Sequence, residues 1–120
     1  MKRFVFVLTL LFGSSLIAQA DIHFRHEPWQ QVLAQATQEK KLVFVDAYTT
    51  WCGPCKWMAA KVFTDPQVAD FFNAHFINAK IDMEHDEGPT LADRYQVRAY
   101  PTLLFITGSG ELVHFVEGAM

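Results

Sequence analysis

The chain has 120 residues, 51 % of them hydrophobic and 19 % charged, with a net charge of −3. That length and balance fit one globular domain with a single core, supplied largely by 11 Phe and 3 Trp. They exclude a low-complexity chain, and the absence of any Lys/Arg run excludes the electrostatic footprint of a nucleic-acid binder.

The first twenty residues read as a segment apart. Lys2 and Arg3 form a basic start, Phe4 to Ile17 is mainly apolar, and Ala18-Gln19-Ala20 offers small residues at the spacing a signal peptidase recognises. A bilayer span needs about 20 apolar residues, so this stretch is short for an anchor. The expectation is a signal peptide over 1–20, cleaved between Ala20 and Asp21, and an exported, periplasmic domain over 21–120 with no lasting membrane insertion. No Cys follows the cut, which argues against a lipid anchor. Loss of Lys2 and Arg3, with no acidic residue among the first twenty, takes the net charge from −3 to −5.

In the remaining chain, Ile22-His23-Phe24 alternates and predicts a short first strand. Pro28 suits the first helical position, and Trp29, Val32, Leu33 and Ala36 follow helical spacing to a predicted end near Lys40. Leu42 to Ala47 is an apolar run interrupted by Asp46, a buried strand by its length and its Val/Phe content. Cys52 to about Phe63 is predicted helical with Pro54 in the first turn. Asp65-Pro66 then starts another helix, Asp as cap and Pro behind it, with Val68, Phe71 and Phe72 as its apolar face. Phe76 to Ile81 is a strand, Asp82 to Pro89 an acidic solvated loop, and Thr90 to Gln96 a helix with Leu91 and Tyr95 on one side. Leu103 to Ile106 and Glu111 to Val116 make an antiparallel hairpin around Gly108-Ser109-Gly110. The predicted class is α/β, with crossover units first and a hairpin last.

The two cysteines, Cys52 and Cys55, are the only ones in the chain and stand where a buried strand turns into a helix. A thiol attacks a disulfide as thiolate, and a helix N-terminus stabilises that anion with unpaired N–H groups and the positive end of the macrodipole. Cys52 is therefore expected to attack and form the mixed disulfide. Cys55, one turn further in and more buried, is expected to resolve it. A structural bridge is the first competing reading; closing so short a loop stabilises by only about 2 kcal/mol in the chain-entropy account. A metal site is the second. Structural zinc wants four ligands, and the five histidines are scattered along the sequence.

Trp51-Cys52-Gly53-Pro54-Cys55-Lys56, followed later by Tyr100-Pro101-Thr102 ahead of an apolar strand, resembles the thioredoxin superfamily. The resemblance spans about residues 24–118. It implies a thioredoxin-like fold, a central mixed β-sheet flanked by helices, and a thiol-disulfide oxidoreductase that needs no cofactor. It implies that Pro101 is cis and lies against the dithiol, freeing the backbone at Tyr100 to pair with an extended peptide. It assigns substrate contact to Trp51, Gly53, Pro54, Tyr100 and Pro101. It also implies that Asp46 accepts the proton of the resolving thiol, a role suited to a carboxylate whose pKa burial raises. The resemblance expects a Lys beside that Asp on the next strand; the matching position reads Asn78, with Lys80 two residues on. Tyr48-Thr49-Thr50 replaces the usual aromatic-Ala-polar approach to the dithiol.

Val62 to Val68 and Asp82-Met83-Glu84 are similar to exported thioredoxin-like domains, including the periplasmic C-terminal thiol domain of the transmembrane thiol:disulfide interchange reductases. This implies disulfide-bonded exported proteins as substrates and a membrane thiol reductase as electron donor. A final helix is expected by the family, whereas the sequence stops at Glu117-Gly118-Ala119-Met120; the fold is expected to lack that helix, through truncation or because a partner or second copy covers the sheet. Two further readings stay open: a redox-inert module that holds extended peptides between Trp51 and Pro101, and a copper-handling protein using Cys52, Cys55 and a His.

Overall fold

The computed structural model describes residues 1–13 and 21–119. Part of the expected leader and its cleavage motif, residues 14–20, therefore lie outside the described residues, as does Met120. Residues 1–13 form no helix or strand, and their large apolar side chains stand in solvent, Phe6 at 95 % and Leu11 at 96 % exposure. No helix among the described residues is long and apolar enough to cross a membrane.

From residue 21 the order is α1 (Trp29–Glu39), β1 (Leu42–Tyr48), α2 (Gly53–Lys61), α3 (Pro66–His75), β2 (Phe76–Asp82), α4 (Gly88–Arg94), β3 (Thr102–Ile106) and β4 (Leu112–Glu117). The sheet runs β2-β1-β3-β4; β1 and β2 are parallel, and β3 is antiparallel to both its neighbours. This is the thioredoxin fold expected from the sequence: a mixed sheet between helices.

The predicted first strand shrinks to a single bridge. Arg25 pairs with Ala79 on the outer edge of β2, its N–H donating to Asn78 O at 2.8 Å. Pro28 caps α1 from outside rather than opening it, and Lys40 closes the helix in the left-handed conformation (φ 55°), its N–H returning to Thr37 O.

Side-chain alternation along β1 divides the core in two. Val43, Val45 and Ala47 face α1 and α4, packing with Val32, Leu33, Leu91 and Tyr95. Phe44 faces the other way, toward Met58 of α2 and Ala69 of α3. Its ring is ringed by Phe24, Phe63, Phe72, Phe76 and Phe105, with centroids 4.8–6.4 Å away. Asp46 and Tyr48 follow Phe44 on that same face. The apolar face assigned to α3 needs correction: Val68 and Phe72 pack inward and Ala69 is fully buried, but Phe71 is 55 % exposed.

Asp65 caps α3 as expected, accepting from Gln67 N at 2.9 Å and Val68 N at 3.2 Å. Tyr95 ties α4 to the hairpin, its hydroxyl donating to Gly110 O at 2.7 Å. Gly110 makes that turn with φ 89°. On the edge strand β4, Val113 and Phe115 are more than half exposed. Among the described residues no helix follows β4.

Candidate active site: the dithiol at the start of α2

β1 delivers the chain to Thr49 and Thr50, and the turn ends at Cys52, the N-cap of α2. Cys52 Sγ fills the capping position itself. It accepts the Cys55 N–H at 3.1 Å, in place of the oxygen that usually caps a helix. Pro54 sits in the first turn, where its missing N–H leaves nothing unsatisfied. The two sulfurs form a disulfide, with the Cα atoms 5.3 Å apart.

The expected difference in burial between the cysteines is absent. In this oxidised form Cys52 is 3 % and Cys55 5 % exposed. What distinguishes them is position on the helix: only Cys52 receives a backbone N–H at the positive end of α2.

Of the residues assigned to substrate contact, Trp51, Gly53 and Pro54 are exposed and Tyr100 is half-buried. Trp51 is 66 % exposed and stands edge-on to Tyr100, ring centroids 6.1 Å apart. The Tyr100–Pro101 bond is cis, as the resemblance implies, and Pro101 is buried. Gly53 is exposed, and a Cβ there would meet no atom within 4 Å. Its small size leaves that side of the turn open.

One neighbour was not singled out from the sequence. Glu84, in the loop read as merely solvated, accepts the Trp51 indole N–H at 2.6 Å. The loop is built for it: Asp82 accepts from Glu84 N at 2.9 Å and pairs with His85 Nδ1 at 2.8 Å. Partial burial, then the charges of Glu84 and Asp82, push the Tyr100 phenol above its ordinary pKa. Nothing in the local pattern of residues 82–87 announces a partner 33 positions away.

Asp46 is 1 % exposed, and its Oδ1 has no hydrogen-bond partner among the described residues. Burial raises its pKa from 3.8 to about 6; Lys80 pulls the other way. Lys80, not Asn78, is the residue directly across from Asp46 in the parallel register. Asn78 lies opposite Phe44, where its amide donates to Phe72 O and Phe76 O and ties β2 to the end of α3. The lysine expected beside the aspartate is therefore present, two residues later than the alignment by motif placed it. Lys80 also shares a pocket of about 200 Å³ with Tyr48, Thr49 and Cys55. Among the described residues no three His, Cys, Asp or Glu side chains are grouped to hold a metal ion.

Comparison with known proteins agrees with this geometry. Thioredoxin H3 of Arabidopsis thaliana is 34 % identical over 93 residues, 78 % of this chain and 73 % of that protein. The solution structure of a candidate disulphide-isomerase from Bacteroides thetaiotaomicron is 55 % identical, with TM-score 0.76 and 86 % of each chain covered. A thioredoxin from Thermus thermophilus is 31 % identical at TM-score 0.70, covering 81 % of this chain and 77 % of its own. The thioredoxin family model matches residues 21–120. The chain belongs to the thioredoxin family and is a redox protein of that family, with Cys52 and Cys55 at disulfide distance.

Proposed function

We propose that this protein is an exported thiol-disulfide oxidoreductase that reduces or exchanges disulfides in other exported proteins. The observation that carries the reading is Cys52 Sγ held at the N-terminus of α2 by the Cys55 N–H, beside the open rim of Trp51 and Tyr100. Cys52 attacks a substrate disulfide as thiolate, and Cys55 displaces the substrate from the mixed disulfide. Trp51, Gly53, Pro54, Tyr100 and Pro101 receive the substrate backbone. Asp46 accepts the Cys55 proton, with Lys80 moderating its charge. The basic, apolar and small-residue order of residues 1–20 supports export, with a membrane thiol reductase as electron donor.

The test of chemistry is the dithiol–disulfide equilibrium of the purified chain in graded thiol buffers, read by alkylation and mass. A potential near about −250 mV or lower supports the reductase reading. A value near about −120 mV redirects the assignment to oxidation or isomerisation. The 55 % identity to the Bacteroides candidate isomerase makes exchange the specific competitor. A pair that never titrates ends both. The test of compartment is the N-terminal mass of the protein recovered from bacterial cells. A chain beginning at Asp21 supports export, and an intact Met1 with cytosolic recovery rejects it.

A further inference from the structure

Glu84 is exposed, yet it is held at two points. Its backbone N–H donates to Asp82 Oδ1 at 2.9 Å, and its carboxylate accepts the Trp51 indole N–H at 2.6 Å. Surface carboxylates usually swing on flexible side chains and average their charge over a wide arc. This one is fixed beside the residue that precedes Cys52.

Its charge is also left unpaired. Among the described residues the ion pairs join Arg25 to Glu27, Lys41 to Glu39 and His85 to Asp82, and no cationic side chain reaches Glu84. The loop's one basic residue, His85, is thus spent on Asp82. The lysines nearest the dithiol stand elsewhere: Lys56 and Lys80 border the pocket shared with Tyr48, Thr49 and Cys55, which neither Trp51, Tyr100 nor Glu84 lines.

The negative field therefore falls on the Trp51 and Tyr100 side of the dithiol. Tyr100 stands edge-on to Trp51 and precedes the cis Pro101. Its phenol feels burial first, and then the charges of both Glu84 and Asp82. In open water such a field is weak and screened. A peptide lying over Trp51 displaces water from the carboxylate and strengthens its attraction for a cation, or its repulsion of an anion.

We propose that Glu84 is a specificity-determining residue of the dithiol site, selecting disulfide substrates that carry Lys or Arg beside the attacked cysteine. The inference rests on the oxidoreductase reading and names a substrate class for it. Glu84 takes no part in the bond exchange. It acts on encounter and docking, where a fixed charge raises the rate for a partner of opposite sign and lowers it for one of like sign.

The experiment uses the reduced full chain and three synthetic peptides, each with one cysteine disulfide-linked to a neutral pyridinethiol. The residue beside the cysteine is Lys, Gln or Glu, and the peptides are otherwise identical. Cys52 thiolate attacks the peptide sulfur, the new Cys52–peptide disulfide forms, the old disulfide breaks, and the pyridinethiolate leaves with the electron pair and takes a proton from solvent. Its absorbance gives the second-order rate constant. The wild type is expected to prefer the Lys peptide to the Glu peptide about tenfold at low salt, and much less at about 0.5 M salt. Any influence of charge on Cys52 itself falls on all three peptides alike and cancels in that ratio.

Glu84→Gln keeps an oxygen for the Trp51 indole and removes only the charge. It is expected to cut the ratio to about threefold or less by slowing the Lys peptide and speeding the Glu peptide. Glu111→Gln, at the hairpin turn, removes the same net charge at a distance and is expected to leave the ratio at the wild-type value. A wild type without preference, a Glu84→Gln variant with the wild-type ratio, a uniform slowing of all three peptides, or an equal effect of Glu111→Gln overturns the role of Glu84 and leaves the oxidoreductase reading standing. A reduced wild type that releases pyridinethiol from none of the peptides overturns both.

Discussion

At the scale of single residues, the dithiol and its buried acid carry opposite energetic signs. Cys52 relieves a helix end, whereas Asp46 burdens the core. A carboxyl moved from 3.8 to about 6 by burial binds its proton more tightly in the folded state than in the unfolded one. Stability is therefore greatest below about pH 4 as far as this group is concerned, and falls as pH rises through about 6, by about 3 kcal/mol in all. Asp46→Asn is expected to stabilise the protein by about 2–3 kcal/mol at pH 8 and by little at pH 4, read by urea unfolding at the two pH values. An equal gain at both would mean that Asp46 ionises freely in the folded chain. The same substitution is expected to slow mixed-disulfide resolution about a hundredfold at pH 7. Cys55→Ser removes the resolving sulfur, so the variant is expected to accumulate Cys52-linked substrate, visible as a mass adduct that reducing agent removes. An adduct-free variant would reassign the attacking role.

At the scale of elements, the helix starts behave as their residues require. Asp65→Ala strips two backbone N–H groups of their acceptor and is expected to cost about 1 kcal/mol in thermal or urea unfolding, with no change in dithiol potential. The loop leading to α4 is less tolerant. A Cβ on Gly88 would run into the Asp82 carbonyl and the Met83 backbone, which flexible side chains cannot relieve. Gly88→Ala is expected to destabilise by more than about 2 kcal/mol and to displace Glu84 from Trp51, detectable as altered Trp51 fluorescence. Most elements were legible because their signals are local: Asp-Pro at α3, the apolar run of β1, the glycines of the hairpin. The segment 22–24 misled because its alternation was real but its backbone bonds away from the sheet, Ile22 N–H to Phe63 O and His23 N–H to the Asn73 side chain, and the chain meets β2 at Arg25. Phe71 misled because helical spacing alone does not say how wide the covered stripe is; at 55 % exposure it sits at the rim of that stripe, touching Phe72 and Phe76 from outside.

At the scale of the whole molecule, the two core clusters are built without the cysteines. Two separate apolar clusters sandwich the sheet, and the loop closed by Cys52 and Cys55 is four residues long by sequence. Reduction is expected to leave the protein folded and to lower its stability by no more than about 2 kcal/mol, measured by unfolding with and without reductant. Loss of folded signal on reduction would favour a structural staple over an exchanging pair.

The sequence by itself determined the family, the order of the main elements, the reacting pair and the buried acid, because each is written in adjacent residues or in a short repeat of apolar positions. Trp51 to Lys56 and Tyr100-Pro101 needed no knowledge of neighbours. Tertiary structure alone decided which lysine faces Asp46 and which side chain holds the Trp51 indole. Strand register settled the first: a shift of two residues keeps a side chain on the same face, so periodicity cannot tell Asn78 from Lys80. The second is a contact between segments 33 positions apart, created when the 82–87 loop comes to rest against Trp51.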